Sequence, residues 1–373
     1  MIDNIQNKNT NTDSTTLSLR HLGWDLNFQN ILDTDEDAAL FPARVIGVQK
    51  NNFFVNNGSK EIRVSVSGRL NHHKTEIYPA IGDWVLVKQT VIVKVLPRKN
   101  ALSRGASGTL KKQETIPKKE QVIAANLDWV FIVCGLDRDF NIRRIERYLT
   151  LIYNCGLNPV LVLTKADLHK SPSTFVADVE SIAFHVPIHM ISLKDDDCLT
   201  PLANYLSKNQ TIALIGSSGA GKSTLVNRLS FEDIQATGAV SHRLGKGMHV
   251  TTSRSLIMMP KGGMIIDNPG IREIALWDDQ TGIDTTFPEI EALGKACRFS
   301  DCSHTHEPGC RVIKAVASGQ IQSDRLNSYH KLKRELDYLS QKQVKSADRI
   351  EKERWQEVAL KVKAMKKQGR QTR

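Results

Sequence analysis

A chain of 373 residues, 40% of them apolar, carries enough hydrophobic material for two or three folded domains. No apolar run approaches the ~18 residues that span a bilayer, and the Asn- and Thr-rich start lacks the pattern of a secretory signal, so a soluble, cytoplasmic protein is expected. The net charge of +11 points to an acidic partner, and most of it lies late, where residues 331–373 hold fourteen Lys and Arg against six Asp and Glu.

Residues 1–38 are polar, with an acidic cluster at Asp33, Asp35, Glu36 and Asp37 and only Leu22-Gly23-Trp24 and Phe28 to dock on anything. A disordered N-terminal segment is predicted there. Residues 39–105 change character. Ile62, Val64 and Val66 alternate with Arg63, Ser65 and Ser67, the period of a half-buried strand. Similar short runs lie at 53–55, 84–87 and 91–95, with turns at Asn56-Asn57-Gly58 and Ile81-Gly82-Asp83. Short strands at this density predict a small closed barrel, an OB-fold by economy, with an SH3-like barrel as the rival. A basic linker at 106–125 follows, rich in Lys and Gly/Ser.

From 126 to 282 strands and helices alternate. Buried strands are predicted at 129–133, 160–163, 188–192 and 212–215, a helix at 142–153, and a closing hairpin at 255–259 and 264–266. This is the β/α alternation of a doubly wound parallel sheet.

The strand 212–215 runs into Gly216-Ser217-Ser218-Gly219-Ala220-Gly221-Lys222-Ser223-Thr224, and a helix is predicted next. That context is what a phosphate-binding P-loop requires: glycines let backbone N–H groups curl around phosphate, and the helix N-terminus adds partial positive charge. Lys222 is expected to reach the β- and γ-phosphates and to serve catalysis, and Ser223 to ligate Mg²⁺. Asp267, in Asp267-Asn268-Pro269-Gly270 at the end of another predicted strand, can hold the Mg²⁺ shell while the Gly270 N–H senses the γ-phosphate. Thr251 and Thr252, in the loop between, are candidates to complete the Mg²⁺ coordination as a switch.

Thr164-Lys165-Ala166-Asp167 follows the predicted strand 160–163. A carboxylate at Asp167 can accept both hydrogens of guanine's ring imino and amino groups, a pair adenine does not offer, while the Lys165 stem covers the base. Ser192, ending the next strand, supports the base. These motifs together favour GTP over ATP. Ile271, after Gly270, cannot orient water as a glutamine can, so slow turnover dependent on a partner is expected, with His249 as the candidate water-positioning residue. Base reading precedes phosphate binding along the chain, the reverse of the ordinary GTPase order. The same site can persist if the chain is cut and rejoined elsewhere, so circular permutation is predicted.

Cys297, Cys302, His304 and Cys310 fall in a predicted helical domain at 283–340, before a basic helical tail at 341–373. Three thiolates and an imidazole suit one closed, structural Zn²⁺ site per chain, with His306 as the second choice for the imidazole and disulfides disfavoured by compartment.

At this point the chain resembles the circularly permuted ribosome small-subunit-dependent GTPase A family of bacteria. The resemblance runs from about residue 22 to 336. Besides the motifs above it includes Gly82-Asp83-Trp84-Val85, Asp139-Phe140-Asn141 before Arg143-Arg144, Phe287-Pro288-Glu289, Cys297-Arg298-Phe299 and Glu307-Pro308-Gly309-Cys310. It implies an N-terminal OB-fold, a central permuted GTPase domain and a C-terminal zinc domain. It implies too a late role in maturation of the small ribosomal subunit, with contact to its rRNA and GTP hydrolysis to GDP and phosphate stimulated by the subunit. A monomer that meets no membrane is expected. Many members have Asn where Thr164 stands, and Val250 and Asn268 replace commoner threonines. Two rival readings stay open at this point, a non-catalytic RNA-binding scaffold and a P-loop ATPase or kinase.

Overall fold

The computed structural model describes residues 19–33, 39–49, 52–72, 77–105, 120–230, 254–260, 262–267 and 281–344. His249, Thr251, Thr252, Gly270, Ile271 and the tail beyond Val344 lie outside them. The chain divides into two compact bodies, one of Met1–Arg104 with Val122–Ile274 and the other of Gly105–Gln121 with Ala275–Arg373.

The first body opens with helix α1 (Leu26–Asp33). Strands β1 (Phe41–Gln49), β2 (Asn52–Asn56) and β3 (Glu61–Val66) follow, then the short helix α2 (Gly68–His72) and strands β4 (Trp84–Lys88) and β5 (Val91–Val95). The five strands close in the order β1-β2-β3-β5-β4 and back to β1, with β3 and β5 parallel and the other pairs antiparallel. This is the OB arrangement, and the parallel pair decides against an SH3-like barrel. Alternate residues point inward, so Ala43, Val45, Phe53, Val55, Val85 and Val87 fill the barrel with Val64 and Ile92, and Leu70 of α2 joins them.

The expectation of a disordered N-terminal segment fails for residues 19–33. Leu19, Leu22, Trp24 and Phe28 are buried, and Trp24 and Phe28 pack on Trp84 with ring centroids 4.7 and 5.8 Å away. A few large side chains anchor a polar segment because each aromatic removes so much apolar area from water. The barrel ends at Val95, and the predicted linker ends early. Strand β6 (Ala101–Gly105) pairs with β7 (Glu120–Ala125).

The alternation that follows is β8 (Trp129–Gly135), α3 (Ile142–Asn154), β9 (Pro159–Thr164), α4 (Ser173–Glu180), β10 (Ile188–Met190), a 3₁₀ stretch (Asp196–Leu206), β11 (Thr211–Ile215), α5 (Lys222–Ser230), β12 (Arg254–Met258) and β13 (Met264–Asp267). Asn141 caps α3 by accepting from the Arg144 N–H at 3.0 Å. The strands lie in the order β10-β9-β8-β11-β13-β12, all parallel except β12. Phe131, Val133, Val160, Val162, Ile212, Leu214 and Ile265 pack against Leu225, Val226 and Leu229 of α5. Strand order reverses between β8 and β11, which is where open α/β sheets place ligands.

Strand β1 also pairs antiparallel with β12, Gly47 opposite Ser255 and Val48 opposite Arg254, so barrel and central sheet form one continuous sheet. A bulge between Val45 and Gly47 bends β1 at this junction. Arg44 is buried beside it, donating to the carbonyls of Leu22, Gly82 (3.2 Å) and Asn126 (3.1 Å) and touching the Met264 sulfur at 3.3 Å. Burial pushes its guanidinium pKa down to about 10, against the pull of Asp128 and Asp83. Arg44→Met should therefore leave the Leu22 and Asn126 carbonyls short of a donor and destabilise the first body by about 2–3 kcal/mol. Urea unfolding followed by tryptophan fluorescence measures this.

The second body holds α6 (Thr281–Thr286), α7 (Pro288–Gly294), α8 (Arg311–Ala317) and α9 (Ser323–Val344). Buried Arg325 of α9 pairs with Glu289 at 2.7 Å, donates to the Thr286 carbonyl at 2.7 Å and lies over the Phe287 ring at 4.4 Å. The domain expected at 283–340 thus starts slightly earlier and its last helix runs to Val344. Among the described residues no helix is long and apolar enough to cross a membrane.

Candidate functional site

Because β9, β10, β11 and β13 are parallel, the segments that follow them share one edge of the sheet. The Thr164–Asp167 segment leaves β9, Ser192 lies just past β10, the glycine-rich loop leaves β11 and Asp267 ends β13. The hairpin register sets Asp267 opposite Ser255. The predicted order of motifs along the chain is thus compatible with a single site.

Three glycines of the loop have positive φ: Gly216 (145°), Gly219 (80°) and Gly221 (94°). A Cβ on Gly216 would sit 2.1 Å from the Val133 carbonyl oxygen, so β8 and the loop approach closely enough to exclude any side chain. Helix α5 begins at Lys222, and the Leu225 N–H donates to the Gly221 carbonyl at 2.8 Å. Ala220 is buried. The Lys222 ammonium lies over the loop, donating to the Gly216 and Ser217 carbonyls at 2.8 and 2.5 Å. Ser223 and Thr224 follow in the first turn, and Ser218 precedes Gly219 in the loop.

Thr164 has a partner within the protein. It is fully buried, and its hydroxyl donates to the Ala220 carbonyl at 2.6 Å, tying β9 to the glycine-rich loop. Lys165 adopts a left-handed backbone (φ 61°) and its ammonium pairs with Asp137 at 2.5 Å. Asp167 is met by Lys194 at 2.5 Å and by the Ser192 hydroxyl, which donates to it at 3.2 Å. Lys194 chiefly, helped by Ser192, holds the Asp167 carboxyl below its ordinary range, so it is ionised at neutral pH and acts only as an acceptor. Asp137 and Lys194 escaped the sequence reading. Asp137 follows a buried strand toward the same edge and Lys194 lies two residues past Ser192, positions that would have flagged both.

In the second body Cys297, Cys302, His304 and Cys310 bring their ligand atoms within 4.8 Å of one another. The Cys297 and Cys310 sulfurs are 3.8 Å apart, and His304 Nδ1 lies 3.7 and 3.4 Å from them. A tetrahedron with Zn–S bonds of ~2.3 Å and a Zn–N bond of ~2.0 Å has S–S and S–N edges of about 3.8 and 3.5 Å, so these donors fit zinc. The Arg311 N–H donates to the Cys297 sulfur at 3.3 Å and the Ile313 N–H to the Cys310 sulfur at 3.4 Å. His306 lies outside this group, with Nδ1 2.8 Å from the Thr305 hydroxyl.

Comparison with known proteins supplies the lineage. The RsgA GTPase family profile matches residues 95–277. The small ribosomal subunit biogenesis GTPase RsgA of Syntrophotalea carbinolica is 41% identical over 327 residues, covering 86% of this chain and 90% of that protein. The protein of the same name from Opitutus terrae is 40% identical, covering 92% and 96%. Among solved structures, YjeQ from Thermotoga maritima superposes with a TM-score of 0.56 at 26% identity, over 80% of this chain and 98% of that one. YloQ, described as a circularly permuted GTPase, gives a TM-score of 0.55 at 21% identity, over 81% and 96%, a likeness of fold. The chain belongs to the RsgA GTPase family and is a GTPase with circularly permuted motifs.

Proposed function

We propose that this GTPase binds the small ribosomal subunit through its rRNA and acts late in the subunit's maturation, hydrolysing GTP to GDP and phosphate with stimulation by the subunit. The observation that carries this reading is the identity of about 40%, over most of the chain, to relatives named small ribosomal subunit biogenesis GTPases. The OB barrel and the excess of basic residues suit phosphate contacts.

In this reading Asp167 accepts from guanine, exchanging Lys194 for the base, with Ser192 and the Lys165 stem at its sides. The loop 216–221 cradles the phosphates through its N–H groups, Lys222 lays its ammonium on the β- and γ-phosphates, and Thr224 supports the helix start. Thr164 acts through the loop, fixing Ala220. Ser223, Asp267 and a threonine of Thr251-Thr252 are the oxygen donors for Mg²⁺, a set suited to a hard cation that neutralises phosphate charge when bound. Gly270 senses the γ-phosphate and His249 positions water, in place of the aliphatic Ile271. Zn²⁺ at the four-residue cluster is structural, since four protein ligands leave no position for substrate.

Purified small subunits should raise GTP turnover at least tenfold, and an unchanged rate would overturn the subunit-dependent reading. Asp167→Asn should cost about 1–3 kcal/mol of guanine recognition, a roughly 10- to 100-fold loss of preference for GDP over ADP. Competition binding measures it, and an unchanged preference would favour the P-loop ATPase reading instead.

A further inference from the structure

Asp167, the base contact of the proposed site, stands on a turn where the chain leaves the sheet. The ladder between β8 and β9 ends at Gly135 opposite Thr164, and its last bond runs from the Leu136 N–H to the Thr164 carbonyl at 2.9 Å. A continued parallel ladder would bring the Ala166 N–H to the Leu136 carbonyl. That N–H goes instead to the Ile191 carbonyl at 3.3 Å. The chain has turned at Lys165, whose backbone is left-handed (φ 61°), into the 3₁₀ turn Ala166–Leu168. Leu136 is fully buried, so its carbonyl needs another donor.

His169 supplies it. Its Nε2 lies 2.6 Å from the Leu136 carbonyl oxygen, and because a carbonyl only accepts, Nε2 carries the hydrogen. The ring is half-buried and packs on Phe175 of α4 with centroids 4.7 Å apart, and Phe175 meets Phe140 edge-on at 4.9 Å. The His169 N–H also closes the turn, donating to the Ala166 carbonyl at 3.2 Å. An imidazole thus takes the place of a strand N–H. The turn is fastened at both ends to one residue, Thr164 to the Leu136 N–H and His169 to the Leu136 carbonyl.

Asp167 itself is exposed, two residues before His169. A left-handed residue other than glycine is mildly strained and persists where its surroundings hold it, so the direction of this turn depends on its fastenings. A carboxylate that must meet two hydrogens of one base at once tolerates little error in direction. We propose that His169 is a positioning residue for base recognition, which aims the Asp167 carboxylate by tying the far end of the turn to Leu136. The inference rests on the reading of Asp167 as the guanine contact.

The test is equilibrium binding of GDP and of inosine diphosphate to the full chain and its variants. Inosine diphosphate keeps the ring imino hydrogen and lacks the exocyclic amino group. The parent should prefer GDP roughly tenfold or more, since Asp167 bonds both groups. His169→Phe keeps a ring to pack on Phe175 but has no donor, and should narrow that preference roughly three- to tenfold, weakening GDP more than inosine diphosphate. His169→Gln, whose amide nitrogen can stand in for Nε2, should keep the preference within about twofold of the parent. Both ligands report on the same folded fraction, so their ratio is not moved by a loss of stability alone. An unchanged preference in His169→Phe, equal weakening of the two ligands, or a His169→Gln variant as impaired as His169→Phe would overturn the fastening. A parent chain with no preference for GDP would instead overturn the reading of Asp167, and the inference with it.

Discussion

Gly216→Ala is expected to reduce GDP and GTP affinity by at least 100-fold and to abolish turnover, while Gly219→Ala, three residues on, costs no more than about tenfold. Both glycines have positive φ, so backbone strain alone does not separate them. Surroundings do. Around Gly219 a Cβ meets nothing within 4 Å, whereas at Gly216 it would lie 2.1 Å from the Val133 carbonyl oxygen and 3.1 Å from the carbonyl carbon. Those atoms cannot yield cheaply: Val133 is buried in β8, which is paired on both sides, with β9 and with β11. The loop must move instead. Strain of about 1–3 kcal/mol and overpacking of similar size would fall on the backbone whose N–H groups are assigned to phosphate. Calorimetric titration with GDP compares the two variants, and equal losses would show that the contact with β8 does not set the loop.

That contact marks the boundary between what was legible in the sequence and what was not. The P-loop spelled itself out because local chemistry dictates it: a strand, glycines, then Lys222 and Ser223 opening a helix. The alternation of Ile62, Val64 and Val66 likewise announced a strand, and its companions a barrel. Barrel topology was not local. Whether β3 meets β5 in parallel depends on pairing across α2, so OB and SH3-like barrels stayed open until the structure resolved them. The docking of residues 19–33 was equally hidden. Leu22, Trp24 and Phe28 are too sparse to give a period, and Trp84, on which the two aromatics pack, lies some sixty residues away. Thr164 is the instructive case in the site. Its motif marked it as a base contact, and its hydroxyl also donates to the Ala220 carbonyl, 56 residues later, a tie no motif announces. Motif spacing identifies which segments converge; it does not say which atoms they spend on each other.

Removing the zinc proposed for the cysteine–histidine cluster should have the largest structural effect, and only on the second body. The cluster joins three separate pieces of chain: Cys297 follows α7 by three residues, Cys302 and His304 lie on the connecting loop, and Cys310 caps α8. Helices α6, α7 and α8 span six, seven and seven residues, too short to persist alone in water. The aromatic and Arg325 contacts supply some cohesion, but three thiols and an imidazole within 4.8 Å are a poor substitute for core. Apparent zinc-binding energies of about 10–16 kcal/mol in small zinc domains exceed what such short elements supply themselves, so with zinc at the proposed site metal binding and folding of this body would be one equilibrium. Cys310→Ser should therefore lower bound zinc from one ion per chain toward none, and far-UV circular dichroism should show loss of helix. Acidification should act in the same direction, because thiolates and a neutral imidazole are the ligating forms and protons compete for each. GDP affinity should stay within about twofold of the parent, since the base and phosphate segments belong to a body with its own core. Retention of helix in a zinc-free variant would show instead that packing around Phe287, Arg325 and Tyr329 suffices to fold this body, and that the four ligands are kept for something other than its stability.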